Sequence, residues 1–190
     1  APRIVALSAT MPNIDDVAGW LDAPPEATFA FDEAYRPVDL HTGVETYSHG
    51  DNAFADKYRR LYSALDKVEP HLREEGQAIV FVSSRQDAVR AAAKARDEIA
   101  DRDIPMGARG DYEFHNDATK LNNDSLRKGA PDGVAFHHAG LGKDDRNRIE
   151  EWFKDGTIQL LFSTSTLAWG VNLPARCVVI RDTKYHDPLE

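Results

Sequence analysis

The chain has little that would build a disulfide scaffold or a membrane anchor. Its 190 residues include one cysteine, Cys177, so no disulfide can form within the chain. Because Cys177 opens the apolar run Cys177–Ile180, we expect a buried structural thiol rather than a redox site. No apolar run approaches the roughly eighteen residues of a membrane-spanning helix, and no basic segment followed by an apolar one opens the sequence. We therefore expect a soluble, cytoplasmic protein.

The chain is also short of lysine and rich in aspartate. Its formal net charge is −9 at pH 7, with 21 Asp against 11 Glu and 15 Arg against 8 Lys. This acidity argues against a generic nucleic-acid binder, for which a basic surface supplies most of the non-specific affinity. We interpret it as a solvated surface in a high-salt cytoplasm, where self-repulsion is screened, and this suggests a halophilic archaeon as the source.

Short apolar runs that lead into helical patterns dominate the second part of the chain. With 42% hydrophobic and 29% charged residues, the sequence suits one α/β domain with additions. Strand and helix alternate at least three times, and predicted strands end before residues 83, 137 and 163. This alternation predicts a parallel sheet with helices on both faces.

The helical patterns begin close to the start of the chain. A short strand is predicted over residues 3–7, and Asn13 is a good N-cap for the helix behind it. The longest helical pattern is an apolar stripe, which we interpret as core rather than as a cofactor site, and Pro70 is expected to kink or end this helix. The stripe consists of Phe54, Tyr58, Leu61, Leu65, Val68 and Leu72. The next helix is expected to carry Val89, Ala92, Ala93, Arg96 and Ile99.

Residues 103–133 carry few large apolar residues and many turn formers. This composition predicts an irregular, mobile connection with one short helix around residues 118–128. Behind it we expect a strand over residues 133–136 and a helix that begins near Lys143 or Asp144. Its buried face should consist of Ile149, Trp152 and Phe153.

The stretch 161–175 has the pattern of a binding loop. An apolar run over residues 158–162 leads directly into the hydroxyl residues Ser163, Thr164, Ser165 and Thr166. In open α/β sheets, ligands bind beyond the carboxyl ends of the strands, where hydroxyl and backbone N–H groups bond phosphate oxygens. Gly170 then permits a close backbone approach, and Asn172 offers a paired donor and acceptor. The alternative is a strand, loop and helix with ordinary capping hydroxyls.

A second polar loop, Ser83, Ser84 and Arg85, follows the predicted strand over residues 77–82. Ser84 with Asp87 makes a plausible helix N-terminal box, so its hydroxyl can cap the helix or face a ligand.

A third loop begins at His137 and His138. Adjacent histidines on a strand point to opposite faces, so we expect one in the core and one toward a ligand, rather than a shared metal. Because the carboxyl ends of parallel strands meet at one edge of a sheet, the three polar loops should form one ligand track.

Several of these stretches resemble the motifs of superfamily-two helicases. Thr-Leu-Ala-Trp-Gly-Val-Asn-Leu-Pro-Ala (166–175) resembles motif V in the form of the Ski-like DExH enzymes, and Leu-Ser-Ala-Thr-Met-Pro-Asn (7–13) resembles their motif III. Residues 83–85 resemble motif IV, and His-His-Ala-Gly-Leu (137–141) resembles the motif between IV and V.

The resemblance spans nearly the whole chain and implies a RecA-like α/β fold. Residues 1–24 would be the end of a first RecA-like domain, residues 25–40 a linker, and residues 41–190 most of a second RecA-like domain.

The resemblance also implies roles for individual residues. The nucleic-acid backbone would be contacted by Ser83, Ser84, Arg85, His138, Ala139, Gly140, Thr164, Ser165 and Thr166. Ser8, Ala9 and Thr10 would couple nucleotide state to nucleic-acid handling. Gly170 and Asn172 would lie toward ATP.

The sequence contains no Gly-x-x-x-x-Gly-Lys-[Ser/Thr] phosphate loop and no Asp-Glu-x-His box. No catalytic set is therefore complete, and the family's motif VI is expected beyond Glu190. We expect ATP and Mg²⁺ to be bound mainly by the first domain, and this chain alone to be inactive. The parent protein is expected to be an ATP-dependent DNA or RNA helicase whose second domain binds a single strand. A non-catalytic interaction module and a duplex translocase are the alternatives.

Overall fold

The computed structural model divides the chain into two compact units, Ala1–Val44 and Glu45–Glu190. The residues that it describes are 4–8, 11–165, 167 and 173–183. None of the described helices is both long and apolar enough to cross a membrane.

The described residues of the N-terminal unit form one short helix, α1 (Ile14–Trp20), and two single 3₁₀ turns, Pro25–Ala27 and Glu33–Tyr35. No described residue of this unit is buried. The strand predicted over residues 3–7 is wrong for its described part, since residues 4–7 have no regular structure. A strand exists only where a neighbour accepts and donates its backbone hydrogen bonds, and none of the described strands pairs with this segment. The assignment of residues 1–24 and 25–40 to a first domain and a linker stays a prediction.

The second unit is built on a four-stranded parallel sheet in the order β2-β3-β1-β4. The strands are β1 (Ala78–Phe81), β2 (Val134–His137), β3 (Leu160–Ser163) and β4 (Cys177–Ile180). All four residues of β2 and of β3 are buried. Because successive residues point to opposite faces, both faces of these two strands are covered. The predicted α/β fold with a parallel sheet is confirmed.

In the described part of this unit, five α-helices connect or precede these strands. They are α2 (Ala53–Arg73), α3 (Arg85–Asp101), α4 (Tyr112–Ala118), α5 (Asp124–Gly129) and α6 (Lys143–Lys154). Helix α2 packs against β1 and β4, α3 packs against β2 and β3, and α6 contacts β2. The predicted buried face of α6 is confirmed, because Ile149, Trp152 and Phe153 are all buried.

Helix α2 follows only part of its predicted stripe. Asn52 caps its first turn by accepting hydrogen bonds from the N–H groups of Phe54 and Ala55, and the helix continues through Pro70 to Arg73. The last four members of the stripe are buried, which confirms them as core. Phe54 is 69% exposed and Tyr58 is half-buried, so the interpretation of these two residues as core is wrong.

Helix α3 contains every residue expected in it, from Val89 to Ile99. Its buried apolar residues are Ala88, Ala91, Ala92, Ala95 and Ile99, whereas Ala93 is exposed. In a run of alanines, side-chain size gives no signal that separates one helical face from the next.

The connection over residues 103–133 is more ordered in structure than its composition indicates. It contains two helices: α5 overlaps the helix predicted around residues 118–128, whereas α4 was not predicted. Phe114 in α4 packs edge-on against Trp152 in α6, with ring centroids 5.0 Å apart and an interplanar angle of 88°. Leu121 and Leu126 are also buried, so a few well-placed apolar residues join this segment to the core.

Cys177 lies on β4, an edge strand of the described sheet, and is half-buried rather than buried. Burial raises the pKa of its thiol. A raised pKa leaves less reactive thiolate at neutral pH, in agreement with a structural role.

Candidate nucleic-acid interface

The register of the parallel strands brings the three polar loops to one edge of the sheet. Ser163 at the end of β3 is paired with Phe81 of β1 on one side and with His137 of β2 on the other. The Val82 N–H donates to the Ser163 carbonyl at 2.8 Å, and the Thr164 N–H donates to the His137 carbonyl at 3.3 Å. The predicted meeting of these loops is therefore confirmed. We call residues 83–85, 138–141 and 164–165 the rim.

In the loop after β1, Ser84 caps the first turn of α3. Its Oγ accepts from the Asp87 N–H at 3.1 Å and lies 2.9 Å from Asp87 Oδ2, to which it donates. Ser83 Oγ also donates to Asp87 Oδ2, at 3.4 Å. Both hydroxyl groups are thus engaged with one carboxylate, and the capping interpretation of Ser84 is confirmed. A role for these residues in nucleic-acid contact stays a prediction.

Arg85 joins the first loop to the second. A Cβ atom placed on Gly140 would lie 3.0 Å from Arg85 Nη1 and 3.3 Å from Arg85 Cδ, so the arginine side chain lies directly against this glycine. Arg85 is exposed, and its guanidinium makes no ion pair with any described carboxylate. The rim therefore presents one uncompensated positive charge beside a position without a side chain.

His138 is buried against the second loop and is held in a neutral form. Its Nδ1 accepts a hydrogen bond from the Gly140 N–H at 3.1 Å, and its ring stacks on Phe136 with centroids 5.6 Å apart. Burial lowers the pKa of His138, and the nearby Arg85 charge lowers it further. A neutral imidazole in this position orders the 138–140 turn rather than adding a positive charge.

His137 is buried on the other side of the strand, where it contacts α6. Its Nε2 lies 2.8 Å from Glu150 Oε1. Burial lowers its pKa, although the Glu150 carboxylate opposes this shift. The prediction of one core histidine holds for His137. His138 is also largely buried, at 8% exposed, so it does not stand out toward a ligand as expected.

The third loop has a buried start and an exposed continuation. Ser163 Oγ donates to the carbonyls of His137 and Thr164, at 3.1 and 3.0 Å, which fixes the end of β3 against β2. Thr164 is 9% exposed, and Ser165 is exposed.

Several predicted site residues lie outside the described part of the chain. These are Ala9, Thr10, Thr166, Gly170 and Asn172. Ser8 is described and is exposed in the N-terminal unit. Among the residues that can be assessed, no group of three potential metal ligands comes together.

Sequence reasoning missed Asp182, which follows β4 and fixes the first loop of the rim. Its carboxylate accepts from the Ser83 N–H at 3.0 Å, from Arg60 Nη1 at 2.6 Å and from Arg181 Nη2 at 2.5 Å. Burial alone would raise the pKa of Asp182, but Arg181, the Ser83 N–H and Arg60 outweigh burial and lower it. Asp182 therefore stays ionised and ties the Ser83 loop to β4 and α2.

A second carboxylate, that of Asp87, continues this ionic cluster on α3. Lys57 Nζ of α2 lies 3.0 Å from Asp87 Oδ1. Burial would raise the pKa of Asp87, but the hydrogen bonds from Lys57 and Ser84 lower it. The only sequence signal for Asp182 was its position two residues after the apolar run 177–180, close to the kind of signal that singled out Ser83 and Thr164.

Comparison with known proteins supports the interpretation of the fold. Residues 112–188 match the family model described as the helicase conserved C-terminal domain. The chain is 36% identical over 192 residues to activating signal cointegrator 1 complex subunit 3 of Dictyostelium discoideum, a match that covers 97% of this chain and 8% of that protein. It is 39% identical over 194 residues to the U5 small nuclear ribonucleoprotein 200 kDa helicase of Caenorhabditis elegans, covering 98% of this chain and 9% of that protein.

Two solved structures resemble the chain more distantly. The helicase MrfA bound to DNA matches with a TM-score of 0.43 and 16% identity, covering 64% of this chain and 14% of that one. The Saccharomyces cerevisiae protein Dbp5 bound to RNA and ADP BeF3 matches with a TM-score of 0.43 and 19% identity, covering 67% of this chain and 24% of that one.

The four-stranded parallel sheet and the family match define a RecA-like helicase C-terminal domain. More narrowly, the chain is a segment of superfamily-two helicase type, related to the U5 small nuclear ribonucleoprotein 200 kDa helicases and to activating signal cointegrator 1 complex subunit 3. It spans 8% and 9% of the length of these two relatives. The closer likeness to Ski-like enzymes and the halophilic source stay predictions.

Proposed function

We propose that this chain is most of the second RecA-like domain of an ATP-dependent helicase, and that its rim binds the backbone of a single nucleic-acid strand. The observation that carries this proposal is the strand register at Phe81, His137 and Ser163, which aligns three polar loops along one edge. Loops aligned in this way form a continuous surface across three strands, which suits an extended ligand better than a compact one.

The chemistry of the rim suits phosphate groups more than bases. Arg85 supplies an exposed guanidinium, and guanidinium groups pair with phosphate through parallel hydrogen bonds. The absence of a side chain at Gly140 lets a backbone approach closely beside that charge. The start of α3 also lies at the rim, where Ser84 accepts from the Asp87 N–H and the remaining N–H groups of the first turn have no acceptor within the helix. Such contacts position a strand without reading its sequence, so they suit either DNA or RNA.

We propose that the parent protein binds ATP and Mg²⁺ mainly through a domain outside this chain. The sequence has no phosphate loop and no Asp-Glu-x-His box, so the γ-phosphate and the metal would be held by another domain. Gly170 and Asn172 are the residues of this chain proposed to face the nucleotide. ATP would close the two domains, and the rim would then move along the phosphates of one strand.

The test replaces Arg85 by glutamine in the full-length protein that contains this chain. We expect the affinity for a single-stranded oligonucleotide to fall about tenfold, as for the loss of one charge-assisted hydrogen bond. The slope of log affinity against log salt should become shallower by about one, because one phosphate contact is lost.

The matched control is Arg96→Gln, which removes the same charge from the far half of the same helix. Arg96 pairs with its neighbour Asp97 and lies away from the rim. This variant should bind the oligonucleotide like the wild type. Unchanged affinity and salt slope in Arg85→Gln would contradict the proposed binding surface. A strand-displacement assay on the wild type then separates a helicase from a duplex translocase, which hydrolyses ATP without separating strands.

A further inference from the structure

The exposed start of the α2 stripe leads to a second binding feature. Phe54 and Tyr58 continue a core pattern in the sequence, yet Phe54 is 69% exposed. Their rings lie 4.7 Å apart between centroids and are inclined by 59°. Two adjacent aromatic side chains at the surface form an apolar shelf, and residues that break a strong local pattern in this way are often functional.

The shelf forms one wall of a cleft between α2 and α3. Leu61 of α2 and Ala91 of α3 also line it, and its cavity volume is about 40 Å³, so it is a shallow surface cleft. An apolar floor with an aromatic wall suits a flat ring better than a flexible chain.

The polar part of the cleft contains one cation, Arg90, that has no ion-pair partner among the described residues. Lys57, Arg90 and Arg181 line it, against a single carboxylate, Asp87. Lys57 is paired with Asp87, yet its side chain remains 46% exposed. Arg90 is exposed and makes no ion pair among the described residues. Arg181 is 4% exposed and pairs with Asp182, so Arg90 is the cation of the cleft that no described carboxylate compensates, and its charge favours an anionic ligand.

The cleft adjoins the rim through Asp87. This carboxylate faces the cleft, and it also accepts hydrogen bonds from Ser83 and Ser84 of the rim. A strand bound along the rim would therefore pass the mouth of the cleft where it leaves the loop after β1.

We propose that the cleft between α2 and α3 binds one nucleotide unit, an aromatic base together with its phosphate, from the strand that the rim holds. The base stacks on the Phe54 ring, and Arg90 and Lys57 face the phosphate. This inference rests on the proposed function of the rim. Aromatic shelves combined with basic side chains are the means by which proteins hold single strands without reading their sequence.

The experiment uses the full-length protein and a series of single-stranded oligonucleotides, each with one 2-aminopurine base at a different position. Stacking on an aromatic ring changes the emission of this base analogue. We expect one position to show such a change in the wild type and to lose it in Phe54→Leu, which keeps an apolar side chain but removes the ring. Strand affinity should fall about tenfold in Phe54→Leu, as for the loss of one base–aromatic stack.

Two further variants sharpen the result. Arg90→Gln should weaken strand binding and reduce its salt slope by about one, because it removes one phosphate contact. Tyr112→Leu is the matched control, since Tyr112 is an equally prominent aromatic residue, 89% exposed, on α4. It should leave both the emission and the affinity unchanged.

Competition with adenosine 5′-monophosphate distinguishes a nucleotide unit of the bound strand from a free nucleotide. If it displaces the 2-aminopurine signal only at very high concentration, the occupant is a unit of the strand. If adenosine 5′-monophosphate displaces the signal at low concentration, and this displacement is lost in Phe54→Leu and Arg90→Gln, the occupant is a free nucleotide rather than a unit of the strand.

The proposal is overturned if Phe54→Leu and Arg90→Gln change neither strand binding nor nucleotide binding, while Arg85→Gln still weakens the strand. In that case the rim stands, and the cleft does not bind a nucleotide. If Arg85→Gln also has no effect, the proposed function of the rim fails together with the cleft.

Discussion

At the scale of single residues, Gly140 is the position where one methyl group should disturb strand binding without unfolding the protein. A Cβ atom there would meet Arg85 Nη1 at 3.0 Å and His138 Nδ1 at 3.2 Å. The arginine end is flexible and can move away at small cost, but it then leaves its place on the rim. We expect Gly140→Ala to weaken binding of a single strand several-fold, with a change of less than about 1 kcal/mol in the free energy of unfolding. Fluorescence anisotropy and urea denaturation measure the two effects.

Gly142 provides the control for this substitution. It lies two residues further along the same loop, and a Cβ atom there would meet nothing within 4 Å. Its φ of −58° is open to alanine without strain. Gly142→Ala should therefore keep the wild-type affinity. Equal losses of affinity in the two variants would show that the loop as a whole, rather than the contact with Arg85, determines binding.

His137 should make the stability of the protein depend on pH. Burial lowers its pKa in the folded state, whereas an unfolded chain protonates histidine near pH 6.5. Below that pH the unfolded state binds more protons, so the free energy of unfolding falls as the pH drops toward the folded pKa. His137→Gln keeps a donor for Glu150 but cannot titrate. The loss of stability between about pH 7.5 and 5.5 should be smaller in this variant by up to roughly 1 kcal/mol.

Urea denaturation at both pH values measures this difference. Part of the pH dependence should remain in the variant, because burial lowers the pKa of His138 as well. The control is His41→Gln, which changes an exposed histidine in the N-terminal unit. If His137→Gln shows the same pH dependence as the wild type, the buried pair of His137 and Glu150 does not contribute as we infer.

At the scale of elements, the sequence was informative where one strong local signal decided the structure. An apolar run followed by hydroxyl residues correctly indicated the ends of β1 and β3, and the parallel order then brought those ends together. The weaker predictions failed where contacts between residues far apart in the chain determine the local structure. Helix α4 is joined to the core by the packing of Phe114 against Trp152, which lies 38 positions away in the chain. The support of Asp182 for Ser83 spans 99 positions in the chain, a separation over which no local pattern gives information.

Asp145 shows how a charge in a helix joins two elements. It lies in the first turn of α6 and is 2% exposed. Its Oδ1 accepts from the N–H and Nδ2 groups of Asn122, and its Oδ2 accepts from the Asn123 N–H at 2.9 Å. The carboxylate thereby satisfies two backbone donors in the turn between α4 and α5, which composition alone had suggested to be irregular.

We expect Asp145→Asn to destabilise the protein by about 1–3 kcal/mol, because its amide group would oppose one of these N–H donors and leave it unsatisfied. Asp144→Asn is the matched control. Asp144 is the preceding residue, in the same helical turn, but it is exposed. Its replacement should cost less than about 1 kcal/mol, the usual contribution of an acidic residue at a helix start. Comparable losses in the two variants by urea denaturation would contradict a specific role for Asp145.

At the scale of the whole molecule, a net charge of −9 has to be reconciled with a surface that we propose binds polyanions. The structure concentrates cations locally. Arg85 on the rim and Arg90 in the cleft beside it are both exposed and have no ion pair among the described carboxylates. Salt therefore acts on this protein in two opposite ways, since it screens repulsion over the acidic surface and also competes with the proposed phosphate contacts.

We expect the free energy of unfolding to rise with KCl between about 0.1 M and 1 M, over which the screening length falls from about 10 Å to 3 Å. The affinity for a single strand should fall over the same range. A variant with Asp51→Asn, Asp101→Asn and Glu151→Gln removes three exposed negative charges from the second unit. Because it has less repulsion to screen, its stability should rise less steeply with KCl, and it should be more stable than the wild type at low salt. Urea midpoints across a KCl series measure both slopes. A wild-type stability that is flat or falls with KCl would remove the interpretation of the acidic surface as an adaptation to salt, while leaving the rim and its phosphate contacts as a separate question.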